Sequence, residues 1–225
     1  LAMKRSMLRL LLVCVCSSLL VSACSQNSSD PFKPEIDAFK AADKKSFPPS
    51  NAILFIGSSS FTMWTDVQSY FPGYTIINRG FGGSGINDII KYAQDIILPY
   101  HPKQVVIYCG ENDVAAGNVT GTDVFQRFTQ LFNFIRNRVP EASIVYVSMK
   151  PSPSREKFRP IFEDGNKMIR DFLSGYPKTG FVDIYPLMLT PDGKTRPELY
   201  LDDQLHMKSE GYAIWKKAIL PFLLK

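Results

Sequence analysis

The stretch Ala52-Ile53-Leu54-Phe55-Ile56-Gly57-Ser58-Ser59-Ser60 sets an unbroken apolar run directly against a glycine and three serines. A run of this length without polar alternation reads as a strand buried on both faces. The glycine allows a tight turn at its end, and the serines suit the start of a following helix. Working outward, similar runs occupy residues 74–78, 104–109, 143–148 and 180–184. Between them, apolar side chains recur at helical spacing. One set is Ile86, Ile89, Ile90, Ala93, Ile96 and Ile97; a second is Val124, Phe125, Phe128, Leu131, Phe132 and Ile135. A third comprises Ile161, Phe162, Met168, Ile169, Phe172 and Leu173, and a last helix is expected over residues 209–223. Strands alternating with helices predict an α/β domain: a parallel sheet of five strands covered by helices on both faces. In such sheets function gathers in the loops beyond the C-terminal ends of the strands.

Small polar clusters fall at those ends. The first strand runs into Gly57-Ser58-Ser59-Ser60, the second into Asn78-Arg79-Gly80-Phe81-Gly82-Gly83-Ser84, and the third into Gly110-Glu111-Asn112-Asp113. Asp203-Gln204-Leu205-His206 precedes the last helix and holds one of the chain's 2 histidines. Histidine is the side chain best suited to accept a proton near neutral pH, and a neighbouring carboxylate can hold its tautomer. His101 precedes Pro102 ahead of the third strand, at the other end of the sheet, and reads as a surface loop residue. A serine needs an adjacent base to become a nucleophile, and three serines stand in a row on the first turn. Gly82 and Gly83 can present backbone N–H groups, and Asn112 can offer a neutral side-chain donor, to a developing oxyanion. Each cluster has a plainer role open to it: a serine N-cap, a glycine turn, or an asparagine bonded to its own loop.

Taken together, in this order, the clusters resemble the four blocks of the SGNH (GDSL-type) hydrolases, which contribute Ser, Gly, Asn and His. The resemblance runs from about Asn51 to the C-terminus. It implies a three-layer α/β/α, flavodoxin-like fold and hydrolysis of carboxylic esters through an acyl-enzyme. By position it makes Ser59 the nucleophile, His206 the base and Asp203 its orienter, with Ser59, Gly83 and Asn112 forming the oxyanion hole. Ser58 stands where the family's Gly-Asp-Ser has aspartate, and Ser84 follows Gly83 where many members have aspartate. No cofactor and no metal are implied, and the body lacks His-x-x-His or paired-cysteine spacing. The absence of a long apolar lid segment leans the expected substrate toward short acyl groups on polar molecules such as glycans. Lysophospholipids and thioesters are the alternatives by the same mechanism, and an anchored, non-catalytic glycan-binding protein is the alternative outside catalysis. Trp64, Phe81 and Arg155 are candidates to shape the pocket. The loop Pro151-Ser152-Pro153-Ser154-Arg155 looks like that of bacterial members and implies no chemistry.

The chain has 225 residues, 45% of them hydrophobic, enough for one sizeable core. Its formal net charge of +5 includes Lys4, Arg5 and Arg9, which lie in an N-terminal stretch that reads as a targeting segment, with Met3 as initiator. The rest is close to neutral and carries no concentrated basic face, which argues against a nucleic-acid partner. An apolar core over residues 8–15 leads to Val21-Ser22-Ala23-Cys24, an ending that resembles a bacterial lipobox. On that reading residues 1–23 are a signal peptide, and Cys24 carries the lipid that holds the protein to the cell envelope. Ser25 after the cysteine points to the outer membrane in a Gram-negative cell, and a secreted or periplasmic protein is the alternative. Residues 24–50 are then a tether with a short helix over 34–45, and residues 51–225 the hydrolase domain. Of the 4 cysteines only Cys109 lies in the body, so no disulfide framework is expected.

Overall fold

The computed structural model describes residues 30–225; the expected signal segment and Cys24 lie outside the described residues. Five parallel strands form one sheet: β1 (Ile53–Gly57), β2 (Ile76–Gly80), β3 (Gln104–Tyr108), β4 (Ser143–Val147) and β5 (Thr179–Val182). Each stands within a residue or two of where the apolar runs place it. Their order is β2-β1-β3-β4-β5. The chain steps from β1 to β2, returns across β1 to β3, and then proceeds outward. This reversal opens a crevice beyond the C-terminal ends of β1 and β3.

The helices in chain order are α1 (Lys33–Lys45), α2 (Ser59–Thr62), α3 (Val67–Tyr70), α4 (Ile86–Ile96), α5 (Glu111–Ala115), α6 (Gly121–Arg138), α7 (Arg159–Leu173) and α8 (Ser209–Ile219). Side chains alternate across the strands and fill two separate cores. Leu54, Ile56, Val105, Ile107, Ile144 and Tyr146 pack with Ile36 of α1, Ile89 of α4, Phe128 of α6 and Phe162 of α7. Ile53, Phe55, Val106, Tyr108, Val145 and Val147 pack with Phe61, Trp64 and, from α8, Trp215 and Ile219. A sheet covered on both faces buries both sets, which is why these strands read as continuous apolar runs. Full burial of such side chains contributes roughly 1.5–3 kcal/mol each.

Three features differ from the sequence reading. The helix grouped with the tether belongs to the compact unit formed by residues 31–225. Ile36 is fully buried in the core, and Asp43 accepts hydrogen bonds from Arg79 and from the Tyr100 hydroxyl, so α1 is fastened at both ends. The last helix stops at Ile219, and Leu220–Phe222 winds as a 3-10 turn, because Pro221 has no N–H to continue the α ladder. The short helices α3 and α5 were not expected, since four or five residues cannot display a period.

Candidate active site

The β1–α2 turn is made by Gly57. It has φ +152°, and a Cβ there would lie 1.9 Å from the Tyr108 carbonyl oxygen on the neighbouring strand. Any other residue would collide with backbone that cannot yield, so the glycine is dictated by close strand approach. Ser58 follows, buried, with its N–H donating to that same carbonyl at 3.1 Å. Ser60 is buried as well and Ser59 only partly so, which leaves Ser59 as the serine of the three presented at the edge. Ser58 stands at the N-cap position but makes no side-chain capping bond, so the plainer role for this cluster is not filled.

The Asp203–His206 segment is a self-contained turn. Asp203 Oδ1 accepts the N–H groups of Leu205 and His206, each at 2.9 Å, and Oδ2 lies 2.5 Å from His206 Nδ1. Gln204 sits in the left-handed region at φ +55°, which lets the chain fold back over the carboxylate. The flanks are pinned by an antiparallel bridge between Tyr200 and Met207 and by Leu201 N–H donating to His206 O at 2.7 Å. A carboxylate can only accept, so Nδ1 carries the hydrogen and Nε2 holds the lone pair. Nε2 meets the Ser59 hydroxyl at 2.9 Å, and the hydroxyl donates to it. Desolvation pushes the Asp203 carboxyl upward, but hydrogen bonds from the His206 ring and from the His206 and Leu205 N–H groups outweigh it and hold it down to about 2. Asp203 is therefore ionised throughout the neutral range.

The second and third loops are stitched to the first. Phe81 N–H donates to Gly57 O at 2.9 Å, and the buried Ser84 hydroxyl bonds the same carbonyl at 3.2 Å. Asn112 Nδ2 donates to Ser84 O at 3.1 Å, which uses one of its two amide hydrogens and leaves the other. Gly82 N–H is occupied by both Glu35 carboxylate oxygens, at 3.2 and 3.1 Å. Gly83, at φ +77°, keeps its N–H without a protein acceptor among the described residues, as does Ser59 at the first turn of α2. Asp113 lies beneath: it accepts Ile86 N–H at 2.9 Å and pairs with Arg127 at 2.7 Å, fastening α5 to α4 and α6.

The residues singled out from sequence thus divide clearly. Ser59, His206 and Asp203 form one hydrogen-bonded line, with Gly83 and Asn112 on the loops stitched beside it. His101 is exposed at the N-terminal end of β3, on the opposite edge. Trp64 and Phe81 shape no pocket: they are 1% and 0% exposed and belong to the two cores, held there by aromatic contacts such as Trp64–Tyr212 and Phe32–Phe81. Arg155 is half-buried on a 3-10 segment after β4. Glu35 went unnoticed in the sequence. It lies on α1, outside every motif, and no local signal links it to Gly82.

This arrangement has known relatives. The sequence pattern of the GDSL-like lipase/acylhydrolase family matches residues 55–214. The chain belongs to that family. Among curated relatives, the human platelet-activating factor acetylhydrolase IB subunit alpha1 is 29% identical over 196 residues, covering 82% of this chain and 79% of that one. Among solved structures, a Streptococcus pneumonia protein described as a platelet activating factor superposes with a TM-score of 0.75 at 20% identity, over 86% of this chain and 92% of the other. The acetylxylan esterase Axe2 of Geobacillus stearothermophilus does so with a TM-score of 0.60 at 16% identity, over 78% and 94%. These structures share the fold. The GDSL-like match begins beyond α1, so Glu35, which holds Gly82 N–H, lies outside the stretch that the family pattern covers.

Proposed function

We propose that this protein is a serine esterase that removes short acyl groups, such as acetyl, from polar alcohols through an acyl-enzyme. The observation that carries the reading is the line Ser59 Oγ to His206 Nε2 at 2.9 Å and His206 Nδ1 to Asp203 Oδ2 at 2.5 Å, at the strand edge where free N–H groups collect. His206 takes the Ser59 proton as Oγ attacks the ester carbonyl, and ionised Asp203 stabilises the imidazolium that results. The carbonyl oxygen becomes an oxyanion received by the Ser59 N–H, the Gly83 N–H and the remaining Asn112 amide hydrogen. His206 then passes the proton to the leaving alcohol and activates a water that releases the acid. Donors of this kind are held in place before the reaction begins, so little reorganisation is needed when charge develops.

The short-acyl preference is supported by the names of two similar proteins, an acetylhydrolase and an acetylxylan esterase. A polar alcohol is supported by the same acetylxylan esterase, whose substrate is a glycan. The test is a comparison of kcat/KM across acetylated oligosaccharides, longer-chain acyl esters, lysophospholipids and acyl thioesters. The acetylated oligosaccharides are expected to lead; a lysophospholipid or thioester in front would replace this substrate class.

The protein is further proposed to be held to the cell envelope by lipid on Cys24, a reading motivated by the Val21-Ser22-Ala23-Cys24 sequence. Cys24→Ala is expected to move the protein from the membrane fraction to the soluble fraction. A wild type recovered wholly in the soluble fraction would dismiss the anchor.

A further inference from the structure

The loop Pro151-Ser152-Pro153-Ser154-Arg155 has no part in the chemistry above, yet the residue just before it, Lys150, has an unusual side chain. Lys150 is 1% exposed, and it is paired with Glu111, itself 6% exposed, at 3.1 Å. Glu111 Oε1 also accepts the Lys150 backbone N–H at 3.2 Å and the Tyr108 hydroxyl, while Lys150 Nζ lies 3.2 Å from that hydroxyl. Removing both charges from water costs several kcal/mol per ion, and well-packed apolar side chains are often as stable or more so. Stability alone is therefore a poor reason for the pair.

Its place in the fold gives a better one. Glu111 is the first residue of α5 and immediately precedes Asn112. Lys150 begins the strap that leaves β4, and that strap braces the base-bearing turn at two points. Pro151 O accepts the hydroxyl of Tyr200, beside Leu201 whose N–H holds His206 O, and Ser154 N–H donates to Gln204 O at 3.1 Å. The ion pair is the tie between the element carrying the Asn112 donor and the strap supporting Asp203 and His206.

We propose that Glu111 and Lys150 are positioning residues, whose buried pair sets the Asn112 amide against the oxyanion site and keeps it in register with the His206 turn. The proposal rests on the esterase reading and adds to it a device between β3 and β4. Neither residue touches the substrate. A tie of this kind acts through Asn112, so its loss should matter only while Asn112 is present.

The experiment is a double-mutant cycle on kcat for p-nitrophenyl acetate with the full chain, using Glu111→Gln and Asn112→Ala. Glu111→Gln is expected to lower kcat about tenfold or more with little change in KM. In the Asn112→Ala background the same substitution should cost less than about twofold, because coupled residues are non-additive. Equal factors in both backgrounds, or an effect on KM alone, would overturn the proposal. Tyr108→Phe gives a second cycle that removes one donor to Glu111 with almost no change of volume, for use if Glu111→Gln does not fold; additivity there overturns the proposal equally. Additivity in an active, Ser59-dependent protein removes this proposal alone, whereas a wild type that turns over no ester removes it together with the esterase reading.

Discussion

Replacing Ser59 with alanine is expected to lower kcat for a short-chain p-nitrophenyl ester by about 10⁴-fold or more, while the protein stays folded. The substitution removes only the oxygen that meets His206 Nε2 at 2.9 Å, on a side chain that is half-buried and not part of either core. Losing the nucleophile disables the whole relay, so the remaining rate reflects binding and the N–H donors alone. A fluorophosphonate probe should label the wild type on the peptide containing Ser59 and leave Ser59→Ala unlabelled. Wild-type turnover by Ser59→Ala, or labelling at Ser58 or Ser60 instead, would sink the assignment. Ser58 and Ser60 are expected to be silent because both are buried.

Asp203→Asn should cost about 10³- to 10⁴-fold in kcat, for a different reason. Asn can present its amide hydrogen to the ring, which reverses the tautomer and leaves Nε2 carrying a hydrogen instead of a lone pair. The pH dependence tests how the turn holds Asp203. The folded value of Asp203, about 2, lies below the ordinary carboxylate value near 3.9, so the stability it contributes is fully present above about pH 4 and is lost as pH falls toward 2. Between neutrality and pH 4 Asp203 should therefore take up no proton. Proton uptake by the Asp203 carboxyl in that window, followed by its carboxyl carbon chemical shift, would mean that the turn does not hold it ionised.

Much of this site is written locally. Asp203 and His206 are three residues apart because one carboxylate both caps the turn and orients the ring, a geometry that four consecutive residues complete by themselves. Gly57 is legible for the same reason: a strand that must turn sharply beside another strand leaves room for no side chain. The strands were legible because burial on both faces removes polar residues from them. By contrast, the pairing of Glu111 with Lys150 spans 39 residues, and a lone glutamate and a lone lysine look like solvated surface charges until β3 and β4 lie side by side. Trp64 and Phe81 misled for the converse reason. An aromatic residue near a motif has the same composition whether it lines a pocket or fills a core.

The amino-acid sequence by itself determined the α/β class, the positions of the strands, the family and the identity of the polar clusters, since each depends on periodicity or on neighbours within a few residues. Only the tertiary structure decided which serine meets the histidine across 147 residues, which of two glycines keeps its N–H free, and that α1 reaches over to hold the other. Those are distances between segments joined by the order β2-β1-β3-β4-β5, and they become fixed only when the two cores close on either side of the sheet.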